Sequence, residues 1–195
     1  MDFNAMIQRG IRAARLDKTL YAEVEGNAAL TQEAVVFVVI VSIISAIGGF
    51  LSNLISGNGF VAAIVGLIIG PIIAVATFFV WAFLNFWIGT NLFKGKAEYG
   101  ELIRTLGYAY GPNALGVLSF IPCLGGIAGL IGAIWMAVAG FFAIRQALNV
   151  DDTNAILTIV ISFIVYIIVL AILGVILAAI GLAGAFGFAA LSGQL

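Results

Sequence analysis

The sequence predicts an all-α integral membrane protein of about five transmembrane helices, preceded by an amphipathic helix lying on the membrane surface. Composition is the first reason. The 195-residue chain is 64% hydrophobic and only 9% charged, whereas a soluble domain carries roughly a quarter charged residues to cover its core. Charge placement is the second. No Asp, Glu, Lys or Arg occurs between Glu33 and Lys94, between Arg104 and Arg145, or after Asp152. Each gap holds one or two runs of the ~20 apolar residues that cross a bilayer, where these side chains are costly. The net charge of −1 leaves no electrostatic case for nucleic acid, which needs a basic face.

The interfacial helix is expected over residues 2–25. Phe3, Ile7, Ile11, Ala14 and Tyr21 recur near helical spacing, and Arg9, Arg12, Arg15 and Lys18 fall largely on the other arc, as a surface-lying helix requires. A segment resting against the bundle would show the same pattern. Gly26-Asn27 breaks the helix before Thr31-Gln32-Glu33 leads into the first span. Residues 1–33 are mixed in charge and the apolar run starts late, which argues against a cleavable signal peptide.

Span one is expected from about Ala34 to Ile55, with Ser56-Gly57-Asn58-Gly59 as an uncharged turn. Span two, about Phe60 to Phe93, is longer than a bilayer core, so tilt or a bend at Gly70-Pro71 must absorb the excess. Span three, about Glu101 to Phe120, is interrupted at Gly111-Pro112. Span four runs from about Ile127 to Leu148, and span five from about Ala155 to Ile180. The expected domains are therefore an N-terminal cytoplasmic segment (1–33), a membrane domain (34–182) and a small-residue tail (183–195). Lys and Arg cluster in the N-terminal segment and in the 94–104 region, with one in 145–154 and none in the other loops. That alternation predicts a cytoplasmic N-terminus and an outside C-terminus.

Chemistry is sparse. Histidine is absent and Cys123 is the single cysteine, so imidazole-based triads and zinc protease motifs are excluded. The sequence predicts no enzyme and no cofactor or metal. Glu98, Glu101, Asp151 and Asp152 read as solvated loop charges. Asn85 and Asn113 are the strongest polar candidates within the spans, since an amide there wants a hydrogen-bond partner or lines a pathway. Gly66/Gly70, Gly107/Gly111 and Gly125/Gly129 share the four-residue spacing that lets helices approach closely.

A family resemblance enters between Lys94 and Trp135. Lys96-Ala97-Glu98-Tyr99-Gly100-Glu101-Leu102, Arg104 and Leu106-Gly107-Tyr108-Ala109-Tyr110-Gly111-Pro112 resemble the central region of Yip1-domain membrane proteins. Gly107, Tyr108 and Pro112 are similar to the family's characteristic Gly-Tyr-x-x-x-Pro core, and Ile121-Pro122, Leu124-Gly125 and Trp135 fit the same pattern. The resemblance implies five spans behind a cytoplasmic N-terminal segment. In eukaryotic members it implies vesicle traffic through small GTPases and mutual association. This chain lacks the long N-terminal domain and the Asp-Leu-Tyr-Gly-Pro motif, of which Asp17 to Tyr21 is a loose echo, so GTPase binding does not carry over. The compact form resembles the bacterial branch, which implies residence in an inner or plasma membrane.

The function expected is that of a non-catalytic scaffold or accessory subunit, touching other membrane proteins or its own copies through helix–helix contacts. The alternative is a small transporter or channel, or a lipid-organising protein acting on curvature.

Overall fold

The computed structural model describes the backbone of residues 2–191 and the side chains through Ile176. Every regular element among the described residues is helical: α1 (Phe3–Ala14), α2 (Lys18–Glu25), α3 (Thr31–Ile55), α4 (Phe60–Leu92), α5 (Tyr99–Ala109), α6 (Leu124–Leu148) and α7 (Asp152–Leu191), with a short 3₁₀ turn at Ala28–Leu30 and a longer 3₁₀ segment at Gly111–Phe120. Four helices are long and apolar enough to cross a membrane: Ala28–Ile55, Phe60–Leu92, Leu124–Leu148 and Asp152–Ile176. The expected tail begins as helix, since α7 continues to Leu191; residues 192–195 lie outside the described residues.

The N-terminal region differs from the single helix expected. Leu16 takes a left-handed φ of 58°, which ends α1, and Asp17 starts α2 by accepting a hydrogen bond from the Thr19 N–H at 2.9 Å. Asp2 caps α1 in the same way through Asn4 and Ala5. Such caps satisfy donors that a helix start leaves free. The result is a helical hairpin.

The expected third span is also not one α-helix. Pro112 has no N–H to give to the Tyr108 carbonyl, and α5 stops at Ala109. The chain continues as a 3₁₀ segment of 10 residues, Gly111–Phe120, far longer than the three or four residues usual for this helix. Its neighbours hold it. A Cβ on Gly48 of α3 would lie 2.3 Å from the Gly116 carbonyl, and one on Gly132 of α6 would lie 3.2 Å from the Pro112 carbonyl. Backbones therefore meet backbones on both sides. By contrast α4 passes through Pro71 without a break in its helix.

α5 sits at the centre. Leu102 through Ala109 are buried without exception, enclosed by α3, α4, α6 and the N-terminal hairpin. The loop at Gly95-Lys96 meets the end of α6, the Lys96 N–H donating to the Leu148 carbonyl at 2.9 Å. The N-terminal hairpin, the 94–98 loop and the α6–α7 loop thus gather at one polar end. There Met6, Ala13, Leu20, Tyr21 and Val24 are almost fully buried against the core, and in contact with water each large apolar one contributes about 1.5–3 kcal/mol. Within the bilayer that driving force vanishes, and packing of small residues takes its place.

Candidate functional site: a polar clasp at one end of the bundle

Most of the ionised side chains of the hairpin are used internally. Glu33, at the start of α3 and 6% exposed, accepts two hydrogen bonds on the same oxygen. Arg9 Nη1 donates to Glu33 Oε1 at 2.6 Å, and the Tyr108 hydroxyl donates to it at 2.5 Å. Three elements, α1, α3 and α5, are joined at one carboxylate. Phe37 packs on the Tyr108 ring with centroids 5.4 Å apart and helps shield the pair from water. Such charge-assisted bonds are about twice as strong as neutral ones.

Arg104 makes the second joint. Its Nε donates to the Val24 carbonyl at 2.9 Å and its Nη1 to Thr31 Oγ1 at 3.0 Å, while Nη2 donates to the Glu25 carbonyl. Val24 and Glu25 present these carbonyls at the C-terminus of α2, where a cation also complements the helix dipole. The Glu25 carboxylate in turn accepts from Gln146 at 2.8 Å and Asn149 at 3.1 Å at the end of α6. Trp135 of α6 donates its indole N–H to the Ala14 carbonyl at 2.7 Å. Lys18 stands 4.8 Å over the Phe142 ring, beside a cleft of about 270 Å³ that Tyr21 and Arg145 also line.

The hairpin carries its own ion pairs. Arg12 bonds Glu23 at 2.6 Å and Asp17 at 2.8 Å, and Arg9 reaches Glu23 at 3.3 Å. Hydrogen bonds from Thr19 and then Arg12 pull the Asp17 carboxyl down to about 2. Glu23 is also held below its ordinary value, by Arg12 first, against some desolvation, and by Arg9. The same contacts raise Arg12. For Arg9, burial opposes the charge, but Glu33 and Glu23 outweigh it and leave the guanidinium above its ordinary value.

The structure distributes the residues singled out in the sequence unevenly. Arg9 and Arg12 are paired rather than solvated, Arg15 is exposed, and Lys18 covers an aromatic ring. On α1 the face against the bundle is Met6, Gly10 and Ala13, whereas Phe3, Ile7 and Ile11 point outward, 53%, 41% and 40% exposed. Gly107 lets α5 approach α3: its Cβ would stand 3.0 Å from the Ala34 Cβ and 3.2 Å from the Ala34 carbonyl oxygen. Gly111 is looser, against Phe37 at 3.5 Å, and Gly125 closes locally on the Ser119 backbone at 2.8 Å. Gly66 and Gly70 have nothing nearer than 4.0 Å among the described residues, and Gly129 nothing within 4 Å.

Sequence reasoning missed Gly48, Gly116, Gly10 and Gly89, each of which has a neighbour inside 3 Å of where a Cβ would go. Their contacts are with distant segments, so no spacing within one helix reveals them. It also missed Glu33 as a hub, although its place as the last charge before a long apolar run marks it. Asn85 is fully buried and donates to the Trp81 carbonyl of its own helix at 2.8 Å, its Oδ1 unpartnered among the described residues. Asn113 lies apart from it, at a separate cavity with Ser42, Ser45 and Asn53. The loop acids act as helix-end partners: Glu101 accepts from the Glu98 N–H, Asp151 from the Asn154 N–H, and Asp152 pairs with Arg145 at 2.7 Å. Among the described residues no three His, Cys, Asp or Glu side chains come together as a metal site.

The clasp is thus a network of charge-assisted hydrogen bonds that ties the N-terminal hairpin to α3 and α5 through Arg9, Glu33, Tyr108 and Arg104. Two of its fixed points, Arg104 and Tyr108, lie in the stretch whose sequence resembles Yip1-domain proteins. No curated protein and no solved structure matches the chain. The family profile described as Yip1 domain does, across residues 18–176, which takes in α2, the four long apolar helices, α5 and the 3₁₀ segment. On that match over most of its length, this chain belongs to the Yip1 family.

Proposed function

We propose that this protein is a non-catalytic scaffold or accessory subunit that works through helix–helix contacts with other membrane proteins. Yip1-family proteins are generally non-catalytic membrane trafficking proteins. The observation that carries the reading is the nakedness of α7. Only 6% of its most apolar stretch is buried, and among the described residues it packs on α4 and α6 alone. In lipid, a helix gains little from its own side chains unless small residues or a second helix meet it. The outer face of α6 adds Gly126 and Gly129, where a Cβ would meet nothing within 4 Å.

The broken α5–3₁₀ element serves as a further span in this reading. Its 11 and 10 residues rise about 1.5 and 2.0 Å each and together reach roughly 36 Å, enough for a hydrocarbon core. The clustering of the Lys- and Arg-bearing loops at one end favours that end as the cytoplasmic one, in a bacterial inner or plasma membrane. The outward Phe3, Ile7 and Ile11 stripe would then rest at the headgroup boundary, so that the hairpin is clasped to the bundle on one face and wetted by lipid on another.

Gentle-detergent purification from the native membrane, with stoichiometric mass spectrometry, is the test. A protein partner at fixed ratio, lost in Gly129→Leu but kept in Gly140→Ala, is the expected result. A protein that emerges alone, with Gly129→Leu without effect on any association, would sink the scaffold reading. Gly107→Leu is unsuitable for this purpose, because Ala34 fills the space and the fold itself would suffer. Transport or lipid organisation is the second reading, favoured by the mostly apolar cavity that Ser45 and Asn113 also line.

A further inference from the structure

The geometry points to a site for the phosphate of an anionic phospholipid in the cleft between α2 and the end of α6, with the lipid's acyl chains lying along the outer face of α6. The inference does not rest on the scaffold reading, since a scaffold and a free-standing protein can each hold a lipid.

The cleft has a volume of about 270 Å³, room for a headgroup phosphate and a few waters of ~30 Å³ each. Lys18 lines it from the start of α2, Phe142, Arg145 and Gln146 from the last two turns of α6, and Asn149 from the α6 C-cap. Most of the lining is polar, and it holds two cations and no acid. Phe142 precedes the last residue of α6, Leu148, by six positions, so the cleft lies within about 9 Å of that helix end at 1.5 Å per residue. This is the end where the Lys- and Arg-bearing loops gather, the level at which lipid headgroups stand.

The two cations keep charge that their surroundings do not use. Arg9 and Arg12 of the hairpin pair with Glu23, Glu33 and Asp17. Lys18 pairs with no acid among the described residues. Asp17 beside it is taken by Arg12 and Thr19, and the ammonium stands over the Phe142 ring, which holds a cation without neutralising it. Arg145 gives its Nε to Asp152 at 2.7 Å, and among the described residues its two terminal nitrogens make no hydrogen bond. A guanidinium with that edge free is suited to a phosphate. Two acids stand nearby, each already bonded. Glu25 accepts from the Gln146 and Asn149 amides and Asp152 from Arg145, and neither lines the cleft.

Beyond the cleft α6 turns an apolar strip outward. Val138, Ile134, Ile131 and Ile127 follow Phe142 toward the helix N-terminus at steps of three or four residues, so they share one face, and all four are exposed. A cationic pocket at headgroup level that continues into an apolar strip fits a molecule with an anionic head and hydrocarbon tails. A free anion would use the pocket alone, and an acidic peptide would leave the strip bare.

The full chain in detergent would be titrated with phosphatidylglycerol and with phosphatidylcholine of the same chains, and bound lipid counted by native mass spectrometry. Phosphatidylglycerol should bind the tighter. Lys18→Gln and Arg145→Gln should each weaken it about fivefold, the effect of one basic residue facing an anionic lipid, while Lys18→Arg should keep it. Lys18 is exposed and the Arg145 side chain is 41% exposed, so neither change disturbs the core. Lys94→Gln removes an exposed charge elsewhere at the same end and should leave binding as it was. Equal binding of the two lipids would overturn the site. So would equal losses from Lys94→Gln and Lys18→Gln, because surface charge alone would then explain the preference. Displacement of phosphatidylglycerol by millimolar inorganic phosphate, or by its headgroup without chains, would assign the cleft to a free anion and overturn the lipid.

Discussion

Glu33 loses different things when each of its partners is removed. Arg9→Met strands a carboxylate whose side chain is 7% exposed, and breaking a buried pair in this way costs about 3–5 kcal/mol. Tyr108→Phe removes one hydrogen bond to a charged acceptor, about 1.5–3 kcal/mol. Denaturant titration in detergent should therefore rank Arg9→Met as the more damaging, and adding Glu33→Gln to Arg9→Met should recover much of the loss. Equal effects from the two single variants would contradict a shared, shielded carboxylate. The exposed pairs of the hairpin behave differently. Asp17 and Glu23 have folded pKa values below their ordinary ones, so the stability they give is complete above the ordinary carboxylate range. It is lost as pH falls through their folded values, toward about 2 for Asp17. The pairing of α1 with α2 should hold at pH 5 and loosen progressively between about pH 4.5 and 2. Emission from Trp135, whose indole N–H is bonded to Ala14 at the end of α1, would report the loosening of α1 in a protein carrying Trp81→Phe and Trp87→Phe; a change that begins near neutral pH would contradict it.

The elements are held at very different closeness, and glycine substitutions read this directly. A Cβ at position 48 would sit 2.3 Å from a backbone oxygen of the 3₁₀ segment, and backbone cannot swing aside as a side chain can. Gly48→Ala should therefore force α3 away and destabilise by about 1–3 kcal/mol, as overpacking does. Gly129→Ala meets nothing and replaces a poor helix former by the best one, a gain of up to about 1 kcal/mol. Thermal melts in detergent should move in opposite directions for the two. The sequence foresaw the interruption at Gly111-Pro112 because proline chemistry is local. It did not foresee that the chain would go on as ten residues of 3₁₀ helix, since that depends on carbonyls accepted into the glycine notches of α3 and α6. The break of the N-terminal region at Leu16 was equally hidden: nothing about a leucine announces a positive φ, and only the docking of α1 and α2 on the bundle fixes it.

For the whole molecule, Arg104 decides whether the hairpin and the bundle are one body. Arg104→Lys keeps the charge but cannot span the Val24 and Glu25 carbonyls and Thr31 together, because an ammonium lacks the planar fork. Limited trypsin cleavage at Arg15 and Lys18 should accelerate at least tenfold in this variant; unchanged cleavage would mean that α2 is held by its apolar face alone. By itself, the sequence determined that the chain lives in a bilayer, that its long apolar runs are helices, and which family its central motif resembles. Those follow from composition, charge spacing and local backbone chemistry, which do not need a partner segment to be defined. Tertiary structure alone decided that Arg9, Glu33, Tyr108 and Arg104 form one clasp, and that Ser42, Ser45, Asn53 and Asn113 share one hollow. Those residues come from segments far apart in the chain. Their meeting is fixed by which helix faces pack, a property of the assembled bundle that no single stretch of sequence contains.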